Sequence, residues 1–396
     1  MKIADISEFY SEQGGGVRTY CHQKLEASHA HGVETLIIAP GAEDREERRR
    51  GGRIIWVKSP QQPGDKRYHL FSGSQRVHAI LDREQPCVVE GSSTWQGGWI
   101  AAKWQGPAVK SFFIHQDPVA VYLHTFLGRS VGAERLDRMV GWFWAYLRRL
   151  SAHFDTSIVS GQWLADRLSG FGMHGLRSVP LGINKQAFSP AFRSDATRAE
   201  MLRACGIDDP GAALLVTVSR HHPEKRLGTL IDAVGQVSRD RSIGLYLIGD
   251  GPIRRMIERR AAKVPGVHVA GFLNDRDKLA RYLASADAML HGSAAETYGL
   301  VLAEALCAGL PLIVPDAGGA RDLAHPAYAE LYAAGDLDGC AAAIHRMLGR
   351  DRTTASQAAL QAAQTRVKRP EEHFNALFNH YQRLINERRP VLAAAE

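Results

Sequence analysis

No apolar run in this sequence approaches the roughly 18 residues a membrane-spanning helix needs, so any work at a membrane is expected on its surface. Cysteine is scarce: Cys21, Cys87, Cys205, Cys307 and Cys340 are scattered, odd in number and mostly flanked by apolar residues. That pattern argues against a disulfide framework or a zinc site and reads as reduced core thiols of a cytoplasmic protein. A signal-peptide core is missing too, since Asp5 and Glu8 interrupt the opening MKIADISEF, which reads as a short strand. The glycine turn LIGDGP is not a full G-x-G-x-x-G fingerprint and no G-K-[ST] follows it, which disfavours a dinucleotide oxidoreductase and a P-loop NTPase. Nor is there a large charge excess: +7 on 396 residues is modest. With no zinc-finger spacing and no aromatic RNA-binding signature, nucleic acid is not the expected partner, and a small anionic substrate or an anionic lipid surface fits better.

What the chain has is length and rhythm. It is too long for one ordinary core, which suggests two domains. Short apolar runs alternate with longer amphipathic stretches, the pattern of parallel sheets covered by helices. KIADI, VETLIIAP, RIIWV, CVVEG, AVKSFFIH and TSIVS read as strands of a first half. ALLVTVS, IGLYLIG, VHVAGF, AMLHG and LPLIVP read as strands of a second. The expected fold is α/β, two doubly wound Rossmann-like domains facing across a cleft, joined near VPLGINKQAFSP, residues 179–190. The boundaries follow as 1–182, 183–368 and 369–396. The last segment is a helix with Phe374, Leu377, Phe378, Tyr381 and Leu384 on one face, expected to pack back on the first domain, and a frayed tail.

Ligands of such sheets bind beyond the strand carboxyl ends, so the loops there are the places to look. In VTVSRHHPEKRL, Arg220 and Lys225 sit between a strand ending at Ser219 and a helix starting near Leu227, either an anion site or a solvated basic turn. LIGDGP carries Gly249 and Gly251, which would let the backbone approach a ligand closely. HGSAAETYGLVLAEALCAG places Glu296 in a loop before a helix expected from Tyr298 to Ala308, with Gly309 as its C-cap. The free N–H groups near Thr297, Tyr298, Gly299 and Leu300 would cradle a phosphate. Glu304, about 7.5 Å further along the axis at about 1.5 Å per residue, would reach the ribose of the same nucleotide. Glu296 would accept hydroxyls of a sugar. Leu302, Ala303, Ala305 and Leu306 surround Glu304, so this acid needs a partner.

The run E-T-Y-G-L-V-L-A-E resembles the E-x7-E motif of retaining glycosyltransferases with the GT-B fold, family 4 in particular. VSRHHPEKRL, LIGDGP, VAGFLN, LPLIVPDAGGARDL and VPLGINKQAFSP resemble further segments of that family in order and spacing. The resemblance implies a second domain that binds a nucleotide sugar and a first domain that binds the acceptor. It implies that Phe272 lies at the base-binding strand end, and that Gly14, Gly15 and Gly16 form a glycine loop against the donor. His115, whose bare pattern reads as a structural histidine, becomes the active-site histidine that touches the transferred sugar. Thr297 stands where Gly or Pro is common, Tyr298 where Phe is, and Asp322 where Glu is usual. The triplet DRD imitates a metal motif of another fold, but Asp275 reads as a helix N-cap.

Taken together, the expected activity is metal-independent, retaining transfer of a sugar from a UDP- or GDP-linked donor to a glycan, glycolipid or lipid-linked acceptor, with no cofactor. Arg220, Lys225 and the helix N-terminus would stabilise the departing diphosphate, and no protein general base is assigned. The alternatives are a noncatalytic sugar-nucleotide-binding partner and an epimerase of the same fold. For residues 135–150, RLDRMVGWFWAYLRRL, two readings stay open: a helix on an anionic bilayer, or, favoured, a core helix with a basic edge. The setting is cytoplasmic, with peripheral attachment to the inner face of the membrane under the first reading.

Overall fold

Runs such as ETLIIAPG and IGLYLI are apolar without alternation because each lies inside a parallel sheet, buried on both faces. The computed structural model describes residues 1–12, 16–63, 65–125 and 132–393. Its first sheet contains β1 Lys2–Ile6, β2 Glu34–Gly41, β3 Arg45–Arg49, β4 Gly52–Lys58, β5 Val88–Gly91, β6 Val109–Ile114, β7 Thr156–Val159 and β8 Leu176–Ser178, in the order β3-β4-β2-β1-β5-β6-β7-β8. Its second contains β9 Ala213–Val218, β10 Ile243–Ile248, β11 Val267–Gly271, β12 Ala288–Leu290, β13 Leu312–Pro315 and β14 Ala329–Tyr332, in the order β11-β10-β9-β12-β13-β14. All pairings are parallel except β3 with β4. The strand order reverses between β1 and β5, and again between β9 and β12. These are the expected two doubly wound units, and each reversal opens a crevice at the strand carboxyl ends.

Three strands escape the sequence reading. Arg48 and Arg49 belong to β3, whose charged side chains stay in water while its backbone pairs with β4. Charge on an edge strand blocks pairing with other chains, and it also hides the strand from a search for apolar runs. β8 and β14 span only three and four residues.

The C-terminal helix Pro370–Ala393 returns to the first sheet as expected. Phe374, Leu377, Phe378 and Tyr381 pack among Ile3, Val88, Val109, Phe113 and Ile158, with Leu384 partly buried beside them. Beneath this helix lies a buried charge cluster. Lys24 Nζ donates to Asp5 Oδ2 at 2.9 Å and to Glu90 Oε1 at 2.5 Å, and the Tyr381 hydroxyl donates to Glu90. Burial works against the ammonium, but Asp5 and Glu90 more than offset it and keep Lys24 charged.

Residues 135–150 form two helices, Ala133–Met139 and Gly141–Ser151, rather than one. Phe143, Trp144, Leu147 and Leu150 are core, and Tyr146 donates to the Thr94 carbonyl at 2.8 Å. Met139 and Trp142 stay in water. Among the described residues no helix is long and apolar enough to cross a membrane.

Candidate functional site

At the second crevice, the loops after β9 and β12 meet. A Cβ on Gly292 would stand 2.5 Å from the Lys225 carbonyl oxygen, so only glycine lets them pass this closely. Lys225 closes a short turn, Pro223–Lys225, followed by Arg226 at φ 47, a left-handed conformation that re-aims the chain into the helix Leu227–Val237. The Lys225 ammonium lies 2.6 Å from Glu296 Oε1 and 3.3 Å from Glu224 Oε1. His291, buried under the loop, brings Nε2 to 3.4 Å from the same Glu296 oxygen, close but not aligned as a hydrogen bond. Burial alone would push the Glu296 carboxyl up; Lys225 first and His291 next outweigh it and hold it well below the usual carboxylate range. Lys225 is raised in turn: burial disfavours its charge, but Glu296 and Glu224 outweigh that. Two residues assigned separately to a diphosphate and a sugar thus form one ion pair.

The helix after Glu296 starts later than expected. Gly299 takes φ 87 as N-cap, and the helix runs Leu300–Cys307, with Gly309 in the left-handed position beyond its end. Leu302 and Ala303 already donate to the Gly299 carbonyl, which leaves the N–H groups of Leu300 and Val301 at the open end. The Tyr298 ring is buried in the core of the second half, so this residue offers the site only its backbone. Glu304 is buried as its neighbours require, and its partner is Arg276, at 2.7 Å. Burial raises the Glu304 carboxyl, and Arg276 offsets only part of that. Asp275 caps its helix by accepting from Lys278 N at 2.9 Å, as read, and the residue of DRD that reaches Glu304 is its central Arg276.

Gly249 and Gly251 have an explanation within the chain. A Cβ on Gly249, whose φ is 140, would lie 1.9 Å from the Ser219 carbonyl oxygen, and one on Gly251 would lie 2.4 Å from that of His221. Their crowding serves the contact between the loops after β9 and β10, which is a reason within the chain for glycine at both positions. His221 is buried there, with neither ring nitrogen hydrogen-bonded among the described residues. Arg220 is exposed at the end of β9 and faces the other half. Asp65 of that half, held down to about 2 chiefly by Arg67, also feels the Arg220 charge. Phe272 stands exposed directly beyond β11.

From the first half, His115 follows β6. Its ring stacks on Phe113 at 4.4 Å and meets the edge of Tyr20 at 5.4 Å. Burial pushes its pKa down to about 4, so the imidazole is neutral near pH 7. The Thr297 hydroxyl donates to the His115 carbonyl at 3.0 Å, which brings the His115 and Glu296 loops together across the cleft. Gly16 opens the helix Gly16–Ala30, and a Cβ there would meet nothing within 4 Å among the described residues. Gly14 and Gly15 lie outside the described residues. Among the described residues no three His, Cys, Asp or Glu side chains gather to hold a metal. Arg276 was missed because its partner Glu304 lies on a different helix; Glu224 and His291 were missed although they stand close in the chain to Lys225 and Glu296, because the order of residues does not show which side chains turn toward one another.

Residues 14–187 match the family described as Glycosyltransferase Family 4, and residues 212–350 match that described as Glycosyl transferases group 1. A GDP-mannose-dependent alpha-(1-6)-phosphatidylinositol dimannoside mannosyltransferase of Mycobacterium tuberculosis is 26% identical over 323 residues, 79% of each chain. Among solved structures, the sucrose-phosphate synthase of Thermosynechococcus elongatus is similar with a TM-score of 0.75, over 98% of this chain and 99% of its own, at 20% identity. Anabaena HepE in complex with UDP and glucose is similar with a TM-score of 0.67, over 96% and 98%, at 16% identity. At such identities these two structures speak to the fold alone.

Proposed function

The chain belongs to the family 4 type of glycosyltransferase with the GT-B fold, and from that premise we propose that it moves a hexosyl group from a nucleoside diphosphate sugar to a glycan or lipid-linked hydroxyl, with retention and without a metal. The observation that carries this reading is the Lys225–Glu296 pair, set where the strand order reverses and beside the open N-terminus of the helix Leu300–Cys307. An arriving diphosphate competes with Glu296 for Lys225. The freed carboxylate, ionised at neutral pH, accepts hydroxyls of the transferred sugar. Arg220, Lys225 and the N–H groups of Leu300 and Val301 place positive potential where charge grows on the leaving diphosphate. By analogy with single oxyanion-hole donors, one such group contributes on the order of 3 kcal/mol to the barrier. The acceptor hydroxyl attacks on the face the phosphate leaves, and a phosphate oxygen takes its proton, so no protein base is required. His115, kept neutral, touches the transferred sugar; Glu304 holds the ribose, Phe272 and Gly249 lie at the base and phosphate ends of the donor, and Gly15 and Gly16 face it from the first half.

Donor identity is proposed as GDP- or UDP-linked, and the Mycobacterium tuberculosis relative is named for GDP-mannose. A lipid-linked acceptor at the inner membrane face is supported by that relative's phosphatidylinositol substrate and by the exposed Met139 and Trp142 beside Arg138 and Arg149. A thermal-shift titration with UDP, GDP, ADP and NAD, each with and without EDTA, tests the core of the reading, because a ligand of the folded state stabilises it by mass action. Stabilisation by UDP or GDP that survives EDTA is expected. Stabilisation by NAD alone, or by none, overturns it.

A further inference from the structure

Two of the positions where this chain departs from the pattern it resembles, Thr297 and Asp322, make hydrogen bonds from the segments flanking Glu296 to the first half. The helix Gln162–Gly170 follows β7 and begins at Gly161, which has no side chain to cap it. Its cap comes from the other half: Asp322 accepts from Trp163 N at 2.9 and 3.1 Å, and the Gln162 N–H supports the same carboxylate. Borrowed capping of this kind satisfies N–H groups that the helix cannot satisfy itself. Gly161 also sets the spacing, because a Cβ there would stand 2.4 Å from the Thr297 carbonyl oxygen and 2.7 Å from Asp322 Oδ2. Asp322 is carried on the short helix Gly318–Leu323, whose Gly319 N–H donates to the Glu296 carbonyl at 2.7 Å. One element therefore grips the Glu296 loop at one end and the first half at the other.

We propose that Thr297 and Asp322, with Gly161 as the socket, are positioning residues that clasp the two halves and set His115 at its working distance from Glu296. None of the three has a role in the proposed chemistry. A glycine or proline at 297 offers no hydroxyl to the His115 carbonyl, so that tie belongs to chains with Thr or Ser there. Aspartate at 322 is one methylene shorter than glutamate and draws the helix start closer. Clasping before the donor arrives spares binding the entropy of ordering the two halves. The catalytic part of this inference rests on the transferase reading above; the geometric part does not.

The test uses the full chain and four substitutions, Thr297→Ala, Thr297→Ser, Asp322→Ala and Gly161→Ala, each checked for folding by circular dichroism. Small-angle scattering gives the radius of gyration with and without saturating GDP or UDP. Steady-state transfer, or hydrolysis of the donor, gives kcat and KM separately. We expect Asp322→Ala and Gly161→Ala to enlarge the nucleotide-free molecule and nucleotide to reverse most of that change. Thr297→Ala should lower kcat about tenfold, the worth of one hydrogen bond, with donor KM changed less than about twofold, and Thr297→Ser should restore it. An unchanged radius in both Asp322→Ala and Gly161→Ala overturns the clasp even if the enzyme is active. A Thr297→Ser as impaired as Thr297→Ala overturns the role of the hydroxyl. If the wild type shows no turnover, the transferase reading fails, while the scattering still decides the clasp.

Discussion

Replacing Lys225 with methionine removes a charge and keeps almost the same volume, so its effects on catalysis and on folding can be separated. The two side chains of the Lys225–Glu296 pair are 16% and 20% exposed. Stranding one member of a fully buried pair costs about 3–5 kcal/mol; with partial exposure and His291 nearby, we expect about 2 kcal/mol. For a half of this size that lowers the melting midpoint by about 4–8 °C. Catalysis should suffer on its own scale: loss of one cation at the leaving group is worth on the order of 3 kcal/mol, about a hundredfold in kcat. Adding Glu296→Gln removes the stranded charge. The double variant should regain most of the stability and none of the activity.

The pH dependence fixes the sign. In the wild type the folded carboxyl of Glu296 lies below its ordinary 4.5, so its contribution is present above that pH and fades as pH falls through the folded value. Without Lys225, burial dominates and the folded pKa rises above 4.5. The fold is then favoured at low pH and loses that advantage as pH rises through the new value. The melting gap between wild type and Lys225→Met should therefore be smaller at pH 5 than at pH 7.5, and the double variant should show no such slope. Thermal melts at the two pH values, with kcat at saturating donor, are the assay. A single variant that keeps kcat within about threefold, or a double variant no more stable than the single, would refute the reasoning.

The remaining predictions concern the nucleotide and the glycines. Glu304→Ala should weaken GDP or UDP binding at least about tenfold by titration calorimetry, since a carboxylate to two ribose hydroxyls is a charge-assisted contact; unaltered affinity sinks the ribose role. Gly249→Ala should destabilise the fold by about 2 kcal/mol or more in denaturant melts, because the new Cβ meets the Ser219 carbonyl and the backbone is held at φ 140. Gly16→Ala should leave stability within about 0.5 kcal/mol and raise donor KM. Equal stability loss in both glycine variants would show that neither position is kept open for a ligand.

Legibility in the sequence followed locality. The long buried strands could be read because parallel strands covered on both faces are apolar without interruption, whereas β3 was hidden by its charge and β8 and β14 by their shortness. Nothing in the order of residues marks Lys24 as buried. Only the adjacency of β1 and β5 puts Asp5 and Glu90 around it. The same holds at the site. Lys225 and Glu296 could each be singled out by its loop, but their pairing depends on β9 lying next to β12, a neighbour relation that no spacing encodes.

Glycine was the most ambiguous signal, and the reason is physical. A glycine marks a place where something comes close, but the sequence does not say whether that is a ligand or the chain itself. Here a Cβ on Gly249, Gly251, Gly292, Gly318 or Gly319 would collide with backbone of an adjacent loop, at 1.9 to 2.8 Å. These five build the floor of the crevice by letting its loops touch one another. Gly16 alone among the described site glycines has open space where its side chain would be, and it sits at the start of a helix on the opposite wall. The glycine crowding around Glu296 therefore measures how tightly Lys225, Glu296 and Asp322 must be packed to share one cleft.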